Sequence, residues 1–245
     1  IRGWKDLPLR EALLGSLGGV AGRELPVLLL DDRVSAALGE LWKGCARGAR
    51  NAVVVIVGTG VGAGLVVDGR PYLGSSRVSG ALGRFVLERG PAPTERGWLE
   101  EEISGPAIVR KVSEACLRSG GCDNLKSMSS GELGKITAEQ VFRAHDLGDP
   151  TVARILGGVA QTMGVALANV VSLLNPEVVV VGGSVGVALM DRYGGEIERA
   201  VRMAAQPYAA ERVRLCRSRL GYLANLLGNA MPFAEPNLMR YLTTP

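Results

Sequence analysis

Between Asn51 and Gly74 a β-branched apolar run, Val53-Val-Val-Ile-Val57, enters a stretch with glycine at every second position: Gly58, Gly60, Gly62 and Gly64. Leu65 to Val67 resume the apolar pattern at once, and Asp68-Gly69 supplies a dipeptide suited to a tight hairpin turn. Alternating glycines let a backbone approach another group closely and aim successive N–H groups at it, most often at phosphate. A dinucleotide-binding loop or a Walker loop would open into a helix, and the Walker loop would need Lys-Ser/Thr. Here the chain stays extended and doubles back, so the glycines fall at a strand-to-strand bend within a hairpin from about Val53 to Leu73. A hairpin that bound nothing would not need so many.

The rest of the chain is compatible with one large α/β unit. Of 245 residues 34 are glycine and only 4% are aromatic, which suits tight strand–helix turns and cores of Val, Leu and Ala. The net charge of +4 permits a nucleic-acid surface without demanding one. The densest basic stretch, Arg212, Arg214, Arg217 and Arg219, alternates with Val213, Leu215 and Ser218 and reads as the solvated face of a strand. Cys45, Cys116, Cys122 and Cys216 form no C-x-x-C pair. The expectation is a reducing, cytoplasmic compartment without a disulfide framework or a cysteine zinc site. His145 is the only histidine and reads as part of a surface loop; a single histidine argues against a Ser-His-Asp hydrolase or a multi-histidine metal centre. No signal peptide or membrane span is expected, the most apolar helical stretch, Met163 to Leu174, being short and carrying Asn169. The chain begins at Ile1 rather than methionine and is expected to be part of a longer protein.

Periodicity predicts a helix from Pro8 to Leu17 closed by Gly18-Gly19, a short buried strand Val27–Leu30, and a helix Val34–Trp42. Residues 74–97 read as a long functional loop, followed by a helix from Leu99 through Ile108 and Val112. Residues 117–136 read as a second loop. Thr137 with Gln140 forms a capping pattern for a short helix, and Asp149-Pro150 opens a long helix stopped at Asn175-Pro176. Val178–Val181 is typical of a strand buried on both faces; Gly182-Gly183-Ser184 is the turn after it, and Ala188–Ala204 a helix. Arg212–Leu220 is expected as a strand and Tyr222–Phe233 as the last helix.

Three features line up as parts of one phosphoryl-transfer site. Asp31-Asp32 ends a predicted strand, where a carboxylate can accept the proton of an attacking hydroxyl; the alternative is an aspartate capping the next helix. The glycine hairpin supplies backbone donors for phosphate. Val178-Val-Val-Val-Gly-Gly-Ser-Val185 is a second strand-to-glycine turn, against which a nucleotide base can lie.

Asp32-x-x-x-Ala-Ala-Leu-Gly-Glu40, Val57-Gly-Thr-Gly-Val-Gly-Ala-Gly64 and Asn169-Val-Val-Ser-Leu-Leu-Asn-Pro-Glu-Val-Val-Val-Val-Gly-Gly183 together resemble the ROK family of repressors and sugar kinases. The resemblance runs in order from about Gly3-Trp-Lys-Asp-Leu-Pro-Leu-Arg10 to the end. It implies an actin/hexokinase-like (ribonuclease H-like) α/β fold, with a mixed sheet and flanking helices, represented mainly by its larger C-terminal lobe. Residues 1–45 would be the junction with a smaller lobe, 46–225 the large lobe, and 226–245 a C-terminal helix returning toward the small lobe. By the same resemblance Asp32 is the catalytic base, and Asp31, Glu100 and Gly80 belong to the sugar site. Gly58, Thr59, Gly60 and Gly62 contact phosphate of ATP with Mg2+, and Gly182 and Gly183 contact adenosine. A glucokinase-like transfer of phosphate to a hexose or amino-hexose follows, in a cytoplasmic homodimer with no membrane. The alternative is the sugar-effector part of a transcriptional repressor, with DNA bound only through a domain outside this chain.

Departures from the family pattern carry equal weight. The usual Gly-Glu-Ile-Gly-His appears as Gly80-Ala-Leu-Gly-Arg84, so Ala81 replaces a sugar-binding glutamate and Arg84 a zinc-ligating histidine. The family's cysteine cluster falls on Pro91, Pro93 and Trp98, so no zinc is expected. The family's first phosphate motif, an Asp-Gly-Gly-Thr hairpin, is not in this sequence. A buried sugar hydroxyl facing Ala81 would lose a charge-assisted hydrogen bond worth roughly 1.5–3 kcal/mol.

Overall fold

The valine run after Pro176 is buried from all sides because it is the middle of a sheet with helices on both faces. The computed structural model describes residues 7–21, 26–87, 96–119 and 122–243. The strands are β1 (Ala52–Val57), β2 (Val61–Val67), β3 (Arg70–Tyr72), β4 (Val178–Gly182) and β5 (Arg214–Arg217). They form one five-stranded sheet in the order β3-β2-β1-β4-β5. β1 pairs antiparallel with β2 and parallel with β4, β2 pairs antiparallel with β3, and β4 pairs parallel with β5. The mixed α/β architecture is therefore as expected from sequence. The period of two along a strand divides the valines between two cores. Val53, Val55, Val57, Val179 and Val181 join the larger cluster, with Ile108, Leu156, Met163 and Leu189. Ala52, Val54, Val178 and Val180 join the smaller one, with Ala36, Ala37 and Ala224.

The helices are α1 (Leu9–Ala21), α2 (Asp32–Lys43), α3 (Trp98–Ile103), α4 (Gly105–Ser119), α5 (Asp123–Met128), α6 (Ala138–Asp146), α7 (Pro150–Leu174), α8 (Ser184–Ala204), α9 (Pro207–Arg212), α10 (Leu223–Ala234) and α11 (Pro236–Thr243). Capping signals were dependable guides. Thr137 and Gln140 exchange both capping-box bonds, and Asp149 accepts from Thr151 N and Val152 N at the start of α7. Asn175 ends α7 in the left-handed region, φ 44°, donating its N–H to Val171 O. Asp68 and Gly69 both take positive φ, 51° and 77°, as a primed hairpin turn demands.

Several expectations are corrected. α1 runs through Gly18-Gly19 to Ala21. No described strand pairs with Val27–Leu30, which has no regular secondary structure and leaves Leu29 exposed, so an apolar run alone did not make a strand. Ser104 adopts an extended conformation and splits the single helix expected from Leu99 to Val112 into α3 and α4. α5 forms inside the loop expected at 117–136; α9 and α11 were not anticipated, and β5 is shorter than the strand expected from Arg212 to Leu220. α7, at 25 residues, is long and apolar enough to cross a bilayer, but much of it lies in the core. Cys116 and Cys122 form a disulfide, with 5.6 Å between their Cα atoms, because Cys122 turns the chain back in the left-handed region after α4. Cysteine spacing therefore gives no argument for a reducing compartment. Pro91 and Pro93 lie outside the described residues, and Trp98 is the first residue of α3.

The alternating glycines divide into two groups. Gly62 and Gly64 lie inside β2 under α2; a Cβ added at Gly64 would sit 2.2 Å from Arg33 O, and one at Gly62 2.5 Å from Arg33 Cδ. A Cβ added at Gly58 meets nothing within 4 Å. Gly64→Ala should therefore destabilise the fold by about 1–3 kcal/mol. Gly58→Ala should change it by no more than about 0.5 kcal/mol, both read from urea unfolding. Thiol titration of the denatured, unreduced chain should find only Cys45 and Cys216, and reduction should add Cys116 and Cys122.

Candidate functional site

The close seat of α2 on β2 brings the start of the helix to the mouth of the glycine hairpin. Asp31 caps α2, accepting the Arg33 N–H at 2.9 Å, and both of its carboxylate oxygens accept from the Arg33 guanidinium, at 2.7 and 2.5 Å. The Arg33 side-chain bonds hold the Asp31 carboxyl below its ordinary pKa against the opposing effect of burial, and Asp31 in turn raises that of Arg33. The capping reading of this dipeptide is thus correct for Asp31. Asp32 is the first helical residue, exposed at the helix N-terminus, and its carbonyl accepts from the Asn225 side chain of α10 at 3.1 Å.

The hairpin bend is pinned from three directions. Gly58 N donates to Gly60 O at 2.9 Å, Gly105 N at the start of α4 donates to Gly58 O at 2.8 Å, and Val61 N donates to Glu100 Oε2 at 3.1 Å. Thr59 and Gly60 at the tip are exposed. Glu100 is offered by α3 and also faces Gly60, where an added Cβ would lie 3.1 Å from its Oε2.

On the Glu100 side lies a small cavity of about 140 Å3, lined among others by Arg33, Val61, Ala81, Arg84, Arg96 and Glu100. Gly80 is seated on β2 rather than in the cavity wall. Its carbonyl accepts from Ala63 N at 2.8 Å, its φ is 77°, and a Cβ there would lie 1.8 Å from Ala63 O. Arg33 and Arg96 were not singled out from sequence, although Arg33 adjoins Asp31-Asp32.

On the other side, where Gly105 stands between Gly58 and Val185, a larger cleft of about 510 Å3 opens between α6 and α8. Phe142, Arg143 and Asp146 line one wall and Ser184, Val185 and Arg192 the other. Gly183, before α8, has φ 78°, and a Cβ there would lie 2.2 Å from Val57 O, so only glycine lets the end of β4 pass the end of β1. Gly182 packs against Ile56 and Ser218. Arg192 lies over the Phe142 ring at 5.0 Å and bonds both oxygens of Asp146, lowering that carboxyl to about 2. These α6 residues carry no motif; only the fold sets them opposite α8. His145 is not in a surface loop: it lies in α6 with its ring 5.4 Å from that of Tyr193, edge to face, and its side chain only 22% exposed. Among the described residues no three His, Cys, Asp or Glu side chains come together as a metal site.

Residues 3–235 match the model of the ROK family. The chain is 33% identical to a glucokinase of Halalkalibacterium halodurans across 86% of its own length and 61% of that protein, so it spans about three fifths of that relative. The ROK hexokinase of Thermus thermophilus is 30% identical, with a TM-score of 0.73 over 92% of this chain and 70% of that one. A ROK family transcriptional regulator, described as a homologue of the E. coli MLC protein, is 28% identical, with a TM-score of 0.76 over 90% of this chain and 54% of that one.

Because the folded-state pKa of Asp31 is lowered, its stabilisation is complete above the ordinary value of 3.8 and is lost as pH falls through the lowered one. Asp31→Ala should cost about 1 kcal/mol at pH 7 in chemical unfolding, the usual loss for a helix cap. That gap should narrow on acidification below pH 3.8.

Proposed function

The chain belongs to the ROK family, and from that premise we propose that it is the larger part of an ATP-dependent hexose kinase. The single observation that carries the reading is the position of the Gly58–Gly60 bend, between a small cavity beside Glu100 and a cleft large enough for a nucleoside. A hexose or amino-hexose in the small cavity would be oriented by Glu100 and the Asp31 region. The adenosine of ATP would lie in the α6–α8 cleft beside Gly182 and Gly183, and its phosphates would cross the exposed Thr59-Gly60 backbone toward the sugar.

Asp32, exposed at the helix start, then takes the proton of the attacking hydroxyl. As that oxygen bonds to the terminal phosphorus, the bond to the bridging oxygen breaks and ADP leaves. The exposed backbone N–H groups of Thr59 and Gly60 would stabilise the charge on the phosphoryl oxygens, while Gly58, whose N–H bonds Gly60 O, and Gly62, inside β2, shape the bend that presents them. Mg2+ supplies charge neutralisation when bound. Without a three-carboxylate cluster among the described residues, it would be held mainly by the phosphates themselves. Residues 1–45 would form the junction and cleft with a smaller lobe, 46–225 the large lobe, and 226–245 the return toward the small lobe. The exposed face of α7 is compatible with a cytoplasmic homodimer.

A second reading, the effector-binding part of a sugar-responsive repressor, is favoured by one observation: Ala81 stands in the cavity wall where the family pattern has glutamate. A coupled ADP-release assay on the full-length protein with glucose and N-acetylmannosamine separates the two. A kinase should show hexose-dependent turnover, and Asp32→Asn should lower kcat by about a hundredfold or more while leaving sugar binding in place. Sugar binding without any turnover would favour the effector reading.

A further inference from the structure

The larger cleft is barred at one end by an ion pair. Its inner end lies beside the hairpin bend: a Cβ added at Gly105 would lie 3.3 Å from both Gly58 O and a Val185 methyl, and 3.6 Å from Ala138 Cβ. From there the walls run outward along α6 from Ala138 to Asp146 and along α8 from Ser184 to Arg192, about 12 Å on each side. At the outer end Arg192 Nε and Nη2 donate to the two oxygens of Asp146 at 2.7 and 2.5 Å. Among the described residues these are the hydrogen bonds that join α6 directly to α8. The third nitrogen, Nη1, donates to Ala188 O at 3.0 Å, and the guanidinium covers the Phe142 ring. Tyr193, the next residue, leaves helical geometry, with φ −126° and ψ 17°, and Gly194-Gly195 follow, so α8 kinks immediately beyond Arg192. Past the kink α8 is seated on α7, where a Cβ added at Gly164 would lie 2.5 Å from Ala200 Cβ. The bridge thus ties the segment before the kink to the opposite wall. A partly exposed ion pair adds little to global stability, so its effect is local to the cleft.

From this we infer that the Asp146–Arg192 pair is a strut that fixes the spacing of the cleft walls and so positions the nucleoside part of a bound nucleotide. The inference rests on the reading of this cleft as the nucleotide site. Asp146 acts through Arg192 and is a positioning residue. The fork of the guanidinium on both carboxylate oxygens sets angle as well as distance, which a single bond would not. With the strut in place the nucleoside enters a slot already at its bound width, the Phe142 ring held under Arg192. Without it the walls sample other spacings, and the apparent dissociation constant rises by the inverse of the fraction still competent. The phosphates, crossing the Thr59-Gly60 bend at the inner end, are not touched by that change. The Arg192 bonds hold the Asp146 carboxyl at about 2, so the strut keeps its charge at any working pH.

Titration calorimetry on the full-length protein tests this, with ATP and inorganic tripolyphosphate as probes and urea unfolding as the control for stability. Asp146→Ala should weaken ATP about tenfold while changing tripolyphosphate by less than about twofold, with the urea midpoint close to that of the wild type. Asp146→Glu, which keeps a carboxylate for the fork, should hold ATP within about threefold of the wild type. Arg192→Lys, which keeps the charge and loses the fork, should behave like Asp146→Ala. Unchanged ATP affinity in Asp146→Ala and Arg192→Lys would overturn the strut and leave the nucleotide cleft standing. Equal losses for ATP and tripolyphosphate, or a urea midpoint that falls with them, would make the pair merely structural and overturn the strut as well. Tripolyphosphate binding to the wild type as tightly as ATP, or no binding of ATP, would overturn the reading of the cleft itself, because the nucleoside would then contribute nothing.

Discussion

The rest of the structure depends on the contact between α2 and β2, which leaves no room for a side chain on the strand. At Gly64 the helix backbone lies where a Cβ would be, and at Gly62 the Arg33 side chain does. The same helix is pressed from its other side by α10, where a Cβ added at Gly39 would lie 1.9 Å from Ala224 O and one at Gly228 1.6 Å from Ser35 O. α2 is thus clamped between sheet and helix by backbone contact, which is stiffer than side-chain packing because it has no rotamers to yield. Its N-terminus, and with it Asp31, Asp32 and Arg33, has one place to be: beside the hairpin bend.

A buried carboxylate completes that clamp. Glu40, fully buried near the end of α2, accepts from Cys45 N at 2.8 Å and from the Ser218 hydroxyl at 2.5 Å, which joins the helix to the chain beyond β5. A buried carboxyl group is tolerated when its oxygens are bonded, and both oxygens are. The neighbouring Cys45 thiol is pushed up to about 12, chiefly by burial and then by Cys216, with the Glu40 charge adding to the effect. At the opposite end of the helix the carboxylate of Asp31 faces partial solvent and pairs with Arg33, so the two ends of α2 are fixed by different means, one by burial and one by charge.

Signals confined to neighbouring residues were legible in advance. The caps at Thr137 and Asp149, the left-handed stop at Asn175 and the Asp68-Gly69 turn each involve groups within a few residues of one another. The Val178–Val181 run announced a central strand because only such a strand is apolar on both faces. Apolar character misled at Val27–Leu30, since a strand exists only where another strand pairs with it. Cysteine spacing misled at Cys116 and Cys122, since the bond depends on the left-handed turn at Cys122 rather than on a motif.

The sequence by itself determined the α/β class, the hairpin, the family and the identity of the groups available for chemistry. These follow from periodicity, capping and fixed spacing, all of which act over short stretches of chain. The tertiary structure alone decided what those groups face. It separated the four alternating glycines into an exposed bend and a seat for α2, and set α6 opposite α8 across the larger cleft. It also gathered Arg33, Arg84 and Arg96 around Glu100. Such neighbours are far apart along the chain, and their meeting is set by how helices pack on the two faces of the sheet, which no local pattern encodes.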